Sequence, residues 1–318
     1  MKRKSVKGTF GVVSVILLAA AFIMGIAIPT AQAGNPTTTP PSINVTKTAA
    51  PDENTARTWD LTLNVTGSQS TEPVKVDILL VIDTSGSMDG NKLKNAKAAA
   101  KALVNALAGT PGSPNENVDA QFALAYFTNT GQRKSSSYSS DANEVRGWID
   151  SLRAGGNTNI AAGLYAGRSI GGARADATKY AVLLSDGEPN RFSVSDANTY
   201  YKYDGFLFWW DYYALDTGYD KSYSLGSSNV YVKVGSDYRS MRSEGMGDPE
   251  YYFAKLEADK LKSTHTLYTV GLGISSGSDA HKLLNDISSS GSTMLGGADD
   301  LVGIFNAITA DILLAGTG

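Results

Sequence analysis

From residue 76 onward, short apolar runs alternate with longer amphipathic segments. The run Val76–Ile82 is almost continuously apolar, which is typical of a strand buried on both faces of a sheet. The segment 92–108 repeats apolar residues at helical spacing and predicts a helix. The same reasoning predicts strands at 122–127, 179–184 and 266–272, and helices after Asp141 and at 160–170, 280–287 and 298–313. Asp141 and Glu144 have the spacing of a helix capping box. This alternation predicts an α/β fold, with a mostly parallel sheet and helices on both faces.

The residues before this region follow a different pattern. Residues 43–45 and 59–65 alternate apolar with polar positions, which predicts two short half-buried strands. Two strands do not form a stable sheet alone, so they must pair with the main domain, with each other against it, or with another segment. Residues 34–42 are rich in Pro and Thr and predict an extended linker. The predicted organisation is a linker at 34–42, a β segment at 43–73 and a main domain at 74–318, with an insert at 190–249.

The first 33 residues have the pattern of a secretory signal peptide. Four cationic side chains precede an almost wholly apolar stretch at 10–28, and Ala31-Gln32-Ala33 offers small residues at a cleavage site. An uncleaved membrane anchor is the alternative, because the apolar stretch is nearly long enough to span a bilayer. Cleavage after Ala33 removes four positive charges and changes the formal net charge from −3 to −7. We expect an exported bacterial protein, secreted or on the cell surface.

Composition excludes several classes of function. Hydrophobic residues form 42% of the 318 residues, enough for a substantial core. The acidic balance, with a pI of about 5.5, does not favour a nucleic-acid partner. Cysteine is absent, which excludes disulfides, Cys-ligated metals and a thiol nucleophile. Only two histidines, His265 and His281, are available for metal sites or proton relays.

Oxygen-bearing side chains follow the predicted strands where ligands bind in parallel sheets. Asp83, Ser85 and Ser87 come directly after the first strand, and Asp186 follows the strand at 179–184. A glycine-rich turn before the helix at 160 carries Thr158. Two carboxylates and three hydroxyls suit a hard divalent cation, Mg²⁺ or Mn²⁺, rather than zinc or copper. An open coordination position on that cation is expected to attract a carboxylate of a partner.

Each of these pieces also has an ordinary interpretation. The Asp-x-Ser-x-Ser run is compatible with a helix N-cap turn, and Ser-Asp-Gly with a simple turn. Gly86 is expected to let the chain turn tightly, so that the three side chains of the first loop converge. The presence of all three pieces at strand ends of one α/β unit favours the metal site.

Three sequence runs resemble the von Willebrand factor type A (vWA) domain. DILLVIDTSGSM, GGNTNIAAGL and YAVLLSDGEPN are similar to the loops of the family's metal-ion-dependent adhesion site, over a resemblance that covers about 74–314. The resemblance implies a Rossmann-like sheet of six strands with one antiparallel edge strand and Mg²⁺ at its top. It also implies a last helix that shifts when a ligand completes the metal shell. The metal ligands it implies are Asp83, Ser85, Ser87, Thr158 and Asp186.

The insert at 190–249 departs from the usual family pattern and is rich in aromatic residues. It begins four residues after Asp186, so it must emerge beside the predicted metal site. We expect a long segment without regular structure, apart from hairpins at its glycines, that acts as a recognition surface. The alternative is a self-packing aromatic cap over the sheet edge. The candidate ligand-contacting residues are Tyr203, Phe208, Trp209, Trp210, Tyr212 and Tyr213.

The N-terminal β segment resembles a flank found in Gram-positive surface proteins and pilus-tip adhesins, in which the vWA domain is inserted into a β domain. Lys47 is a candidate isopeptide lysine, with a partner expected in the second half of such a β domain. The chain has no LPxTG-type sorting signal. We therefore expect a secreted protein, one held by its N-terminus, or a shortened relative of a longer adhesin.

Three functions are compatible with the sequence. The leading one is an exported adhesion module that binds an acidic group of a protein ligand through the cation, and it is not an enzyme. A structural or assembly subunit of a surface fibre or envelope complex is the second. A serine hydrolase using Ser85 or Ser87 is the third, but a triad requires His265 or His281, and no G-x-S-x-G motif occurs. A protein partner is expected, nucleic acid is not, and membrane association is expected only if the leader is uncleaved.

Overall fold

The computed structural model describes residues 43–51, 59–67, 73–110, 113–196, 199–206, 209–224, 230–234, 236–297 and 299–316. The predicted signal peptide at 1–33 and linker at 34–42 lie outside these residues. Contacts divide the chain into two units, Met1–Ser70 and Thr71–Gly318. No helix in the described part is both long and apolar enough to cross a membrane.

The first unit contains a two-stranded antiparallel ladder. Strand β1 (Ile43–Pro51) pairs with β2 (Trp59–Gly67) along its whole length. Both strands are longer than their sequence pattern indicated, and they pair with each other. Lys47 lies opposite Leu63, and both side chains are exposed.

The second unit alternates strands and helices. Apart from a 3-10 turn and a two-residue ladder of Gly109–Thr110 with Ser113–Pro114, its elements in chain order are β3 (Val74–Asp83), α1 (Asn91–Ala108), β4 (Val118–Phe127), β5 (Gly131–Arg133), α2 (Ala142–Asp150), α3 (Ile160–Arg168), β6 (Thr178–Ser185), β7 (Tyr200–Phe206), β8 (Trp209–Ala214), β9 (Val230–Val234), β10 (Asp237–Ser240), α4 (Pro249–Lys262), β11 (Thr266–Leu272), α5 (Asp279–Ile287), β12 (Met294–Gly296) and α6 (Leu301–Gly316).

The central sheet has six strands in the order β12–β11–β6–β3–β4–β5. All neighbouring pairs are parallel except β4 with β5, which places an antiparallel strand at one edge. The prediction of a mostly parallel α/β sheet with one antiparallel edge strand is confirmed. Because β3 lies between β4 and β6, the residues after it reach the middle of the sheet's carboxyl edge.

Strand β3 is buried on both faces, as its sequence indicated. Ile78, Leu80 and Ile82 pack in a core with residues of α1, α2 and α6. Leu79 and Val81 point to the opposite face and pack with residues of α3, α4 and α5. Alternation along an extended chain sends successive side chains to opposite faces, so a strand with helices on both sides needs apolar residues throughout.

The cap of α2 is only half of the predicted capping box. The Asp141 carboxylate accepts hydrogen bonds from the backbone N–H groups of Asn143 at 2.9 Å and Glu144 at 3.3 Å. The Glu144 carboxylate accepts from the Ser139 hydroxyl, and the Asp141 N–H donates to that same hydroxyl oxygen. Ser139 therefore replaces the direct return bond from Glu144.

The insert contains two hairpins, as expected, but these join into one sheet, which corrects the expectation of a segment that is otherwise irregular. Its strands form an antiparallel sheet in the order β8–β7–β9–β10. Tyr200, Val230 and Val232 are buried in a small core with Phe253 of α4. Helix α4 was not predicted, and it supplies the surface on which this second sheet packs.

Candidate metal centre

The site begins where β3 ends. Asp83 is the last residue of β3, and a single 3-10 turn, Gly86–Met88, connects the strand to α1. The Met88 side chain is fully buried in the core, so it anchors the loop from below. Asp83 and Ser85 are also buried, whereas Ser87 is exposed at the surface.

A closed ring of hydrogen bonds joins the first loop to the end of β6. The Asp83 carboxylate accepts from the Ser85 N–H at 2.7 Å and from the Ser185 hydroxyl at 2.6 Å. The hydroxyl oxygens of Ser85 and Ser87 are 3.0 Å apart, and Ser87 donates to Asp186 at 2.7 Å. Ser185 and Asp186 are adjacent in sequence, which closes the ring. The structure thus brings both predicted carboxylates and two of the predicted hydroxyls together.

Thr158 belongs to a second loop that is bonded to the other two. Its N–H donates to the Asn190 side chain at 3.0 Å, and its carbonyl accepts from the Asn190 N–H at 3.0 Å. The Gly155 N–H donates to the Thr84 carbonyl at 2.8 Å, which fixes this loop against the first one. Thr158 is only 5% exposed. The loops that carry all five predicted ligands therefore meet at one edge of the sheet.

Two glycines allow the loops to approach each other. The Gly86 N–H donates to the Gly156 carbonyl at 2.9 Å, and a Cβ on Gly86 would lie 3.3 Å from that oxygen. Gly86 does not have a positive φ, so close approach, rather than the expected turn conformation, explains glycine there. Gly156 does adopt a left-handed φ of 80°, which favours glycine.

The two carboxylates have different electrostatic surroundings. Burial raises the pKa of Asp83 to about 6, against the opposing effect of its hydrogen bonds, and the nearby charge of Asp186 raises it further. Among the described residues, no cationic side chain is paired with Asp83. Asp186 does have one: the Lys92 ammonium lies 2.5 Å from its second carboxylate oxygen.

Four residues of this centre were not identified as functional from the sequence. Ser185 and Lys92 hold the two carboxylates, Asn190 bonds Thr158, and Asn129 accepts from the Asn157 N–H at 2.8 Å. Ser185 and Asn190 do lie inside the third run that carries the resemblance. The positions of Asn129 and Lys92 depend on tertiary packing and have no comparable local signal.

The donor chemistry fits a hard divalent cation. No group of three or more His, Asp or Glu side chains in the described part of the chain is arranged to hold a metal ion. The five predicted ligands instead combine two carboxylates with three hydroxyls, an all-oxygen set that suits Mg²⁺ or Mn²⁺. A buried carboxylate without a paired cation, Asp83, is the observation that favours such an ion at this position.

In the described part of the chain, neither histidine is hydrogen-bonded to Ser85 or Ser87. His265 precedes the amino end of β11, and its ring nitrogens contact the Tyr138 hydroxyl at 3.0 Å and the Thr264 hydroxyl at 2.8 Å. Ser85 and Ser87 follow the carboxyl end of β3, a strand parallel to β11 in the same sheet. His281, on α5, accepts from the Gly277 N–H. The geometry assembles no serine–histidine pair for the hydrolase interpretation.

The insert places its candidate ligand residues on different faces. Tyr203 and Tyr212 lie opposite each other on β7 and β8, with ring centroids 5.4 Å apart. Tyr213 follows Tyr212 in an extended strand, so it points to the other face, and it is 57% exposed. Trp209 and Trp210 lie on β8, and Phe208 lies outside the described residues. Ring contacts join five tyrosines on the first face, which we call the tyrosine cluster: Tyr201, Tyr203, Tyr212, Tyr231 and Tyr238.

Comparison with protein families identifies the class to which this fold and site correspond. Residues 77–209 match the family model of the von Willebrand factor type A domain. The match starts inside β3, includes all three site loops and ends in the insert. Residues 77–209 are therefore similar to a vWA domain, and the sheet that contains them has a vWA-like fold. A comparison with curated protein sequences found no match.

Several solved structures with a similar fold come from pilus proteins. The vWF domain of the type V pili tip protein Mfa5 from Porphyromonas gingivalis has a TM-score of 0.59 and 17% identity, covering 77% of this chain and 97% of that one. The pilus adhesin SpaC from Lactobacillus rhamnosus GG has a TM-score of 0.57 and 18% identity, covering 85% of this chain and 34% of that one. The PilB minor pilin from Streptococcus sanguinis has a TM-score of 0.50 and 17% identity, covering 86% and 78%. At these identities the similarity establishes the fold alone.

Proposed function

We propose that this vWA domain is an extracellular binding module that holds Mg²⁺ or Mn²⁺ and binds an acidic group of a partner protein. The observation that carries the proposal is the closed ring of Asp83, Ser85, Ser87, Asp186 and Ser185, with the Thr158 loop bonded beside it. When bound, the cation supplies a Lewis-acidic coordination position that takes a carboxylate oxygen of the partner.

The chain's own residues have separate roles in this proposal. Asp83 supplies buried negative charge, and Ser185 and the Ser85 N–H orient its carboxylate. Ser85, Ser87 and Thr158 supply neutral oxygens, so the centre has few charges to offset those of a cation. Asp186 has both carboxylate oxygens engaged, one by Ser87 and one by Lys92. Ser87, the exposed member of the ring, marks the side from which a partner approaches.

The alternative partner is another subunit of a surface fibre. Similar folds occur both in a pilus adhesin and in a minor pilin, so an assembly role has the same structural support as adhesion. We also propose export directed by residues 1–33, with the mature chain secreted or on the cell surface. N-terminal sequencing of the protein recovered from the medium and the cell wall tests the export proposal, and recovery with Met1 intact only in the cytoplasm would contradict it.

Calorimetric titration of Mg²⁺ and Mn²⁺ tests the centre directly. We expect the protein to bind at least one of these ions and the Asp83→Asn variant to lose that binding. Asp77→Asn is the matched control, because Asp77 is fully buried on the same strand, where it pairs with Arg174. It lies six residues before Asp83, roughly 20 Å away along the strand. We expect this control to cost stability and leave cation affinity unchanged.

Two results would contradict the metal proposal. One is a folded native protein that binds neither ion, and the other is an Asp83→Asn variant that binds as tightly as the native protein.

The identity of the partner distinguishes adhesion from assembly. The relevant partner is the one that the native protein retains in Mg²⁺ and the Asp83→Asn variant loses. Retention on host matrix proteins supports adhesion, and retention of fibre subunits from the producing cell supports assembly.

A further inference from the structure

A groove with an excess of positive charge lies between the start of α1 and the end of α2. It has a volume of about 480 Å³, and its charged lining includes Lys94, Lys97, Lys101 and Arg153, which together we call the basic groove. Asp89 and Asp150 are the carboxylates in its lining. Four cations against two carboxylates contrast with the whole chain, in which acidic residues outnumber basic ones by 31 to 28.

The lysines of the groove share one face of α1 because they are spaced by three and four residues. Lys101 is 2.7 Å from the Asp150 carboxylate, which neutralises that pair. Lys97 is half-buried and donates to the backbone carbonyls of Leu152 at 2.6 Å and Asp150 at 3.1 Å. Burial lowers the pKa of Lys97, and repulsion from Arg153 lowers it further.

Two cations of the groove remain available to an anion from outside. Lys94 and Arg153 are both exposed, and no carboxylate in the described part of the chain forms an ion pair with either. Arg153 donates to the carbonyls of Leu152 at 2.8 Å and Asp150 at 3.0 Å. These carbonyl contacts position the guanidinium without neutralising its charge.

Two residues of the groove lining are close in sequence to residues of the metal centre. Asp89, at its edge, follows the site residue Ser87 by two positions. Ala154, on the opposite wall, directly precedes Gly155, whose N–H is bonded to the first site loop. The groove lining therefore begins next to the loops of the centre, within reach of an extended chain bound there.

We propose that the basic groove binds an acidic segment of the partner protein, adjacent to the carboxylate bound at the metal centre. This inference rests on the proposed function, because it concerns the same partner. The wall of the groove from Lys94 to Lys101 covers about 10 Å of helix, which is the length of roughly three residues of extended peptide, and Lys94 and Arg153 are its available charges. The groove thus selects partners with further acidic residues within a few positions of the one at the centre. Charges at such a rim mainly govern encounter rate and salt dependence.

The test uses a fluorescein-labelled octapeptide of alternating aspartate and glycine, with an asparagine–glycine peptide as the neutral probe. Binding is measured with saturating Mg²⁺ at about 20 mM and about 200 mM NaCl, where screening differs strongly. The variant is Lys94→Glu with Arg153→Glu. The matched control is Lys75→Glu with Lys262→Glu, which makes the same change of charge at the start of β3 and the end of α4, at the opposite edge of the sheet.

We expect the groove variant to bind the acidic peptide about tenfold more weakly at low salt and with a shallower salt dependence. Its Mg²⁺ affinity should change only slightly, and the control variant's peptide affinity should remain native. Equal peptide affinity in the groove and control variants would overturn the inference, as would no binding of the peptide by the native protein. Binding of a heparin oligosaccharide in place of the peptide would also overturn it, since the groove would then serve a sulfated polysaccharide.

Failure of the carboxylate bridge at the metal centre gives a different result from failure of the groove inference. If Asp83→Asn abolishes Mg²⁺ binding but the acidic peptide still binds with native affinity through Lys94 and Arg153, the groove stands without the metal bridge. If peptide binding requires Mg²⁺ and Asp83 but is insensitive to the groove variant, the metal centre stands and the groove inference is overturned.

Discussion

The ammonium of Lys92 lies 2.5 Å from a carboxylate oxygen of Asp186, whose side chain has no exposed surface. Lys92 is the second residue of α1, and the other oxygen of Asp186 accepts from Ser87. One of the two carboxylates at the centre is therefore already partly neutralised by the chain itself. The ion pair connects the start of α1 to the end of β6.

Substitution of Lys92 by Gln should raise the affinity for Mg²⁺. Removing a unit charge a few ångströms from a divalent cation, in surroundings close to water, favours the bound ion by about 1.5 kcal/mol, or roughly tenfold. Lys92 is 39% exposed, so the water-like estimate is appropriate. Calorimetric titration of Mg²⁺ into native and variant protein measures the change.

Lys94→Gln provides the matched comparison, because it removes the same charge two residues further along α1, where the side chain is exposed. We expect only a small change of Mg²⁺ affinity in that variant. Equal gains in both variants would mean that net charge, and not the contact with Asp186, sets the affinity. A loss of affinity in Lys92→Gln would assign Lys92 a positioning role for Asp186 that outweighs its repulsion.

The sheet and the predicted ligands were accessible from sequence because the information is local. A strand buried on both faces must be apolar throughout, as Ile78 and Leu79 illustrate, and polar residues directly after it must lie at the sheet's carboxyl edge. Helix α4 was missed for a physical reason. Its buried face includes Glu250 and Glu257 beside Phe253, and Glu257 is bonded to Arg168 of α3. Charges compensated by another element obscure the apolar stripe that identifies a helix.

The insert was misjudged for a related reason. Tyrosine occupies both faces of its strands, so the alternation that marks a half-buried strand is hidden: Tyr200 is buried, and Tyr201 belongs to the tyrosine cluster. The packing of Tyr200 on Phe253, with centroids 4.7 Å apart, distinguishes the two faces. The cap interpretation describes the face packed on α4, and the recognition interpretation remains a prediction for the other face.

Substitution of Gly163 by Ala should destabilise the domain and disturb its centre. A Cβ at this position of α3 would lie 2.3 Å from Cδ1 of Phe127, which is fully buried. Overpacking of this kind costs about 1–3 kcal/mol of the free energy of unfolding. The Phe127 carbonyl accepts from both the N–H and the hydroxyl of Thr84, at 2.9 and 3.0 Å, so displacement of Phe127 should also weaken Mg²⁺ binding.

Gly147→Ala is the natural control for this substitution. Gly147 lies on α2, is exposed, and a Cβ there would have no atom within 4 Å. We expect stabilisation of up to about 1 kcal/mol from helix propensity alone. Urea unfolding of both variants measures the difference. Similar stabilities for the two would show that α3 can move away from Phe127 at little cost.

The free energy of unfolding should depend on His265 just below neutral pH. Burial lowers the pKa of His265 below its ordinary value of 6.5, and the charge of Lys179 lowers it further, against a raising effect of Asp77. The folded protein therefore resists a proton that the unfolded chain takes up near pH 6.5. Stability from this residue is fully present above that pH and is lost as the pH falls towards the lower pKa of the folded state.

Comparison of His265→Gln with the native protein isolates this effect. Asp83, with its pKa raised to about 6, acts in the opposite direction, but it contributes equally to both proteins and cancels in the difference. Unfolding measured by urea at a series of pH values should give a smaller loss of stability below pH 6.5 in His265→Gln. If the native and His265→Gln profiles are parallel, His265 takes up its proton equally in the folded and unfolded states, and its contacts with Tyr138 and Thr264 do not favour the neutral ring.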